Sequence, residues 1–242
     1  MKLLLAAIVF FFLSSCSKES RWACFEGAGK EGTLEVATGS FQKLEVEDKI
    51  HVILIRDTVE KAVIKGGVNL IRKVDIRNDG YTLRISDRNT CNWSRRLDLV
   101  LEVEVHFINI HHIVHWGTGH IRTSDTLKGD DITLDIRNSG DLTAMILAGV
   151  SHSNIHVAAG DLKVTGKTGV SYVYNSGYGY VFAEDLSSDI TFCGNHNTGN
   201  CYVNAKDRLE AEITFEGNVY YKGRPSRITE SITGSGKLLP LD

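Results

Sequence analysis

Three sets of side chains in this chain carry groups capable of chemistry at close spacing. His106, His111, His112, His115 and His120 fall within fifteen residues. Imidazoles hold a transition metal only when their nitrogens converge to ~2.1 Å from one ion. On an extended strand His111 and His115 share a face but stand ~13 Å apart, and His112 points the other way. Only stacking of one layer of chain on another could gather them; His115 and His156 fall in one register of the repeat described below, two layers apart. The spacing therefore predicts surface or corner histidines, with no metal. Asp141 and Asp161 each follow a glycine, and one layer apart they would lie ~4.8 Å from each other. Such a pair suits acid–base work on a glycan or, with corner carbonyls, a calcium ion. Short acidic side chains beside turns more often cap backbone N–H groups, and that is the expectation here. The third set is aromatic: seven of the eight tyrosines lie in the last seventy-one residues. Outward columns of rings at Tyr202, Tyr220 and Tyr221 offer a face for a sugar or a protein partner. Ring-on-ring packing between layers is the competing use. No GxSxG, P-loop or HExxH occurs, and Gly177-Tyr178-Gly179 lacks a strand–helix context. No catalytic residue, metal or cofactor is expected.

The cysteines divide by place. Lys2 followed by the apolar run Leu3–Leu13 is an export signal, too short at ~16 Å to span ~30 Å of hydrocarbon. Leu13-Ser14-Ser15-Cys16 looks like a bacterial lipobox, which assigns the Cys16 thiol to a thioether with diacylglycerol. Several acyl chains there make a firm anchor. Ser17-Lys18-Glu19-Ser20 reads as a tether carrying an outer-membrane sorting or surface-export signal. Export leaves Cys24, Cys91, Cys193 and Cys201 in an oxidising compartment. No CxxC is present, so a structural zinc site has no support. Cys24–Cys91 is the favoured disulfide, closing a 67-residue interval. Cys193 and Cys201 bracket a polar loop and either pair or sit as buried thiols.

The elements that must position these groups are strands. Period-two alternation recurs in Leu44–Val46, Ile50–Ile55, Ala62–Ile64, Val74–Ile76, Tyr81–Ile85 and Leu97–Val105. Asn78-Asp79-Gly80 marks a hairpin, and Val68–Lys73 a turn of helix. From about residue 110 a glycine-centred turn returns at Gly119, Gly140, Gly160, Gly179, Gly199, Gly217 and Gly236. The steps are 21, 20, 19, 20, 18 and 19 residues. A fixed period near twenty signals a solenoid. Two residues after each glycine stand Ile121, Leu142, Leu162, Val181, Cys201, Val219 and Leu238, and four after stand Thr123, Ala144, Val164, Ala183, Val203 and Tyr221; both columns are expected inward. Between them Arg122, Thr143, Lys163, Phe182, Tyr202 and Tyr220 point out. The glycine is expected to supply a positive φ at each corner. The fold class is all-β, a parallel β-helix of ~20-residue repeats, with an antiparallel sandwich as the alternative. The organisation reads as a signal peptide over 1–15, a lipidated cysteine and tether over 16–40, an N-terminal β region over 41–110 and the repeat solenoid over 111–242.

These residues carry a resemblance. The Gly-Ser-Gly-Asp-like turns, together with Phe41–Val46, Cys91-Asn92-Trp93, Gly217–Gly223 and Thr233–Leu238, resemble the putative auto-transporter adhesin, head GIN domain family. The likeness covers roughly 41–239. It implies a β-helical body on an exported protein and no catalytic site. The turns depart from the pattern at Ala158–Asp161 and Phe215–Asn218, so a regular ladder of Asp residues is not implied. Asp130-Asp131 and His115-Trp116-Gly117 echo pectinase motifs, but in the wrong order and with no Arg-Ile-Lys.

Composition narrows the function. Of 242 residues 42% are apolar, 27 are basic and 30 acidic, for a net charge of −3. A nucleic-acid partner is thereby disfavoured. The reading that results is an outer-membrane lipoprotein, on its periplasmic or outer face, with a non-catalytic module for adhesion or scaffolding. A glycan-binding accessory lipoprotein is the alternative; a polysaccharide-degrading enzyme trails both. The expected partners are the membrane, through the lipid, and a glycan or envelope protein.

Overall fold

The computed structural model describes residues 27–89 and 101–241. Cys16, Cys24, Cys91 and the apolar leader lie outside the described residues. The body starts with β1 (Glu31–Ala37), β2 (Lys43–Val46), β3 (Ile50–Arg56) and β4 (Lys61–Gly67). One helical turn, Val68–Ile71, leads into β5 (Val74–Asn78), β6 (Thr82–Asp87) and β7 (Leu101–Phe107). Next come β8 (His112–His115), β9 (His120–Thr123), β10 (Leu127–Ile136), β11 (Asp141–Ile155), β12 (Leu162–Asn175) and β13 (Val181–Phe182). β14 (Leu186–Asn195), β15 (Cys201–Ile213), β16 (Val219–Lys222), β17 (Arg227–Ile232) and β18 (Leu238–Pro240) complete the chain.

The strands wind into a β-solenoid of about six turns. Each coil lays one strand segment on each of two parallel stacks. One stack runs β6–β2–β8–β10–β11–β12–β14–β15–β17, the other β7–β3–β9–β11–β12–β13–β15–β16–β18. β11, β12 and β15 are long enough to bend round an edge and serve both. The parallel register excludes the sandwich alternative. Antiparallel pairs occur at the N-terminal end, where β1–β4–β7 and the β5–β6 hairpin close the first coil. That coil, β6–β7, lies outside the β2–β3 coil although it comes later in sequence.

The register matches the alternation in the sequence. Ile121, Leu142, Leu162, Val181, Cys201 and Val219 stack as one inward column, each essentially inaccessible. Arg122, Thr143, Lys163, Phe182, Tyr202 and Tyr220 stack outward beside them. Burying each Leu or Val contributes about 1.5–3 kcal/mol, so coils are held mainly by these columns.

The corner glycines are needed for a reason other than the expected one. None of the seven has a positive φ. Instead each lies against the coil before it. A Cβ on Gly160, Gly179 or Gly199 would stand 1.9–2.0 Å from the carbonyl oxygen of the preceding ladder glycine. At Gly119, Gly217 and Gly236 the nearest carbonyl would be 1.9–2.2 Å away, and at Gly140 the His115 Nε2 would be 2.2 Å away. The recurrence therefore reflects close approach of backbones, not left-handed turns.

The last coil is built differently. β17 is exposed throughout, and Glu230 occupies the register of buried Cys193 and Ala211. The only two prolines of the chain, Pro225 and Pro240, both fall here. A charge in a core column and prolines on an edge oppose further strand addition.

Candidate functional site

Each corner is held by side chains aimed at the next coil. The Asp141 carboxylate accepts from Asp161 N–H at 2.9 Å, and Asp161 accepts from Tyr180 N–H at 2.8 Å. Asn200 and Asn218 continue the series, accepting from Asn218 and Lys237 N–H at 2.9 Å. The stacked Asp pair is thus committed to backbone capping. Inside the corner the Asn175 amide donates to Gly179 O at 3.0 Å and the Asn195 amide to Gly199 O at 2.9 Å. His115, fully buried, takes the same place one end of the stack earlier. Its Nε2 lies 3.0 Å from Gly119 O and its Nδ1 accepts from Gly117 N–H at 3.3 Å. Burial holds the His115 imidazole below its usual pKa.

His115 does not share a register with His156, contrary to the sequence reading. It stacks on Ile136 and Ile155, and His156 lies one residue further on. The error is one residue, and it hides the most organised polar group of the face. Asp135 points outward from β10 yet is 5% exposed. His112 Nε2 stands 2.7 Å from Asp135 Oδ2, His156 Nε2 2.9 Å from Oδ1, and the Asn154 amide donates to Oδ1 at 3.0 Å. Burial pushes this carboxyl up, but the hydrogen bonds from His112, Asn154 and His156 outweigh it and hold the group far below the ordinary carboxylate range. His106 pairs separately with Asp57 at 2.8 Å. The histidines thus disperse over separate partners, and among the described residues no three His, Cys, Asp or Glu side chains converge for a metal. Asp135 was not singled out from sequence; its only signal was an acidic residue between core Leu134 and Ile136, one coil from two histidines.

The rings form two ladders. On one stack Tyr180, Phe182, Tyr202 and Tyr220 follow at centroid distances of 6.0, 5.3 and 5.0 Å with planes within 15°. Both faces of Tyr202 are covered by neighbours, so it offers an edge, not a platform. Tyr220 ends the stack. Tyr221 points the other way and packs on the core, which removes it from any outward face. On the other stack His152, Tyr172 and Phe192 lie parallel at 4.9 and 5.0 Å, and the Arg208 guanidinium sits 5.7 Å over Phe192 while contacting Glu210. Tyr174 meets His156 and His196 at tilted angles, 5.8 and 5.3 Å away. A groove of about 770 Å³ runs over this second ladder and on across Gly194 to Glu212 and Glu230.

Cys193 and Cys201 are two buried free thiols, the second of the arrangements left open by the sequence. Contact with Cys201 and burial push the Cys193 thiol well above its usual pKa.

Solved structures share the architecture. The chain superposes on a putative adhesin from Bacteroides fragilis NCTC 9343 with a TM-score of 0.80 at 18% identity, covering 88% of this chain and 97% of that one. A putative adhesin from Parabacteroides distasonis ATCC 8503 gives 0.70 at 17% identity, covering 89% and 98%. A putative lipid binding protein from the same strain gives 0.69 at 20% identity over the same shares. At such identities the likeness establishes the fold alone. A comparison with curated protein sequences finds no match. A family profile described as putative auto-transporter adhesin, head GIN domain matches residues 40–225. With β2 to β16 and six of the seven corner glycines inside that span, this chain belongs to the putative auto-transporter adhesin, head GIN domain family.

Proposed function

We propose that this chain is a lipid-anchored envelope protein whose solenoid serves, without catalysis, as an adhesion or scaffolding module. The observation that carries the reading is the continuous outward face over β10–β15, where rings and imidazoles are aligned coil after coil. Rigid rows of this kind suit contact with an extended partner. The stacked acids favour the same reading, because Asp141 and Asp161 are committed to backbone N–H groups rather than facing a substrate. The anchor is assigned to Cys16 from the lipobox. Among the described residues no helix is long and apolar enough to cross a membrane.

Protease shaving of intact cells tests the reading, with immunodetection of the body. Loss of the signal, together with detergent-phase partitioning that disappears in Cys16→Ser, is the expected result. Protection until the outer membrane is opened would overturn surface adhesion and leave periplasmic scaffolding. The glycan-binding alternative now leans on Tyr220, the end of its ring stack. Retention on a sugar column that survives Tyr220→Ala would remove it.

A further inference from the structure

The corner that joins β2 to β3, together with the one above it between β8 and β9, differs from later corners in what its side chains do. Later corners spend their polar side chains on a neighbouring coil. Asn138 donates to Trp116 O at 2.9 Å and Asn197 to Ser176 O at 2.7 Å, while Asp141, Asp161, Asn200 and Asn218 cap N–H groups. Here the Glu47 carboxylate, the Lys49 ammonium and the Thr118 hydroxyl make no hydrogen bond or ion pair among the described residues. Asp48 spends one carboxylate oxygen on Asp87 N–H at 2.8 Å and keeps the other. With Trp116 and Asn138 these four residues line a concavity of about 540 Å³, inside the ~300–1,000 Å³ range of small-molecule sites. Trp116 is its apolar wall. Arg137, on the following coil, sits over the ring at 5.2 Å, yet Trp116 remains 44% exposed. Glu47 stands beside it on the preceding coil, because Val46 pairs with His115.

Asp48 supplies a second, independent signal. Its φ is 60°, a left-handed conformation that costs a residue with a Cβ about 1 kcal/mol or more. Thr118 N–H holds it there, donating to Asp48 O at 2.7 Å. Glycine would take this conformation without strain; the strained aspartate keeps a carboxylate on the concavity.

We infer that this corner binds a neutral sugar ring of a glycan. The C–H face of the sugar lies on Trp116, and its hydroxyls donate to Glu47 and Asp48 and accept from Lys49 and Thr118. Charge selects the class. Two carboxylates are balanced by Lys49 and Arg137, so no net field draws an ion. Each sugar hydroxyl both donates and accepts, as this mixed set requires. The weakly positive C–H groups suit the negative face of the indole. The inference rests on the adhesion reading and names the chemistry of its partner. It seats the sugar five coils from Tyr220, where the ring ladder ends.

Calorimetric titration of the purified full chain with chitotriose, mannotriose, galactotriose and maltotriose tests it. At least one is expected to bind with a Kd below about 10 mM, equally at low and high salt. Trp116→Ala is expected to weaken that binding about tenfold and Glu47→Gln about fivefold. Tyr220→Ala, and Tyr178→Ala at another exposed corner ring, are expected to leave it unchanged. Urea midpoints of the variants establish that they fold; should Trp116→Ala fail, Glu47→Gln carries the test. A loss in Tyr220→Ala equal to that in Trp116→Ala would return the sugar to the ladder and overturn the proposal. So would absence of binding by all four sugars, or binding of polygalacturonate alone that disappears at high salt. Sugar retention that survives Tyr220→Ala removes the ladder as its seat and supports this corner. The shaving experiment reads the adhesion role on cells and the titration reads the corner in solution, so either can fail without the other.

Discussion

Adding one methyl group at Gly199 tests the account of the corner ladder most directly. In Gly199→Ala the new Cβ would lie 1.9 Å from Gly179 O, where ordinary contact begins at 3.4 Å. The coils would have to part by about 1.5 Å, nearly a third of the ~4.8 Å spacing between strands. Overpacking of this kind costs about 1–3 kcal/mol. The shift would also stretch the amide bond from Asn195 to Gly199 O, 2.9 Å long, for about 1 kcal/mol more. A total near 3 kcal/mol corresponds to a fall in Tm of about 6–12 °C in a chain of this size. Thermal and urea unfolding followed by circular dichroism reads it. Gly199→Asn separates the two possible causes. Asn tolerates a positive φ, so a left-handed corner would accept it at little cost; a crowded corner would reject Asn as it rejects Ala. Gly80, with φ 92° and nothing within 4 Å of a Cβ, is the reciprocal control, and Asn there should cost about 1 kcal/mol or less. If Gly199→Asn unfolds within about 1 kcal/mol of the parent while Gly199→Ala does not, crowding is the wrong explanation.

His115→Asn should keep its corner, since Asn175 and Asn195 do the same work three and four coils on, and should remove an acid sensitivity. The parent's buried imidazole has a folded pKa below the usual 6.5, so the unfolded chain takes up the proton more readily and stability falls as pH drops below 6.5; urea midpoints at pH 7.5 and 5.5 should converge in the variant, and an unchanged gap refutes the assignment. Asp135→Asn removes the charge and replaces one of the two oxygens that His112 and His156 share out between them with an NH2 group, at a cost of about 1–3 kcal/mol near neutral pH. Because the folded carboxyl is held below its ordinary 3.8, that difference persists above pH 3.8 and shrinks as pH falls further; a difference constant down to pH 2 contradicts the network. Native protein should leave Cys193 and Cys201 unlabelled by maleimide and label both on unfolding; a proteolytic fragment in which the two are joined without reductant would mean that they pair.

Much of this architecture is legible in the sequence. Repeat period, column assignment and outward ring row follow from spacing because parallel stacking puts equivalent positions of successive repeats in contact. Three things were not legible. The glycine requirement was misattributed because a sequence signals the need for a missing Cβ in the same way whether the cause is φ or crowding. The His115–His156 register failed by one residue because the repeat lengths vary between eighteen and twenty-one, and Asp135 went unrecognised with it. Gly194 looked like any strand glycine until the His196 ring was placed over it, 2.8 Å from where a Cβ would stand.

The inverted order of the first two coils has a consequence for how the chain is made. From β10 onward each strand finds its next neighbour seventeen to twenty residues later. β2 does not. Lys43 pairs with Thr82 on one side and His112 on the other, 39 and 69 residues downstream. At about 5–20 residues per second of synthesis, β2 waits roughly 3–14 s before both flanks exist. Every later coil completes within a few seconds of its predecessor. β2 is therefore flanked late: 69 residues, more than a quarter of the chain, must follow Lys43 before both of its neighbours exist.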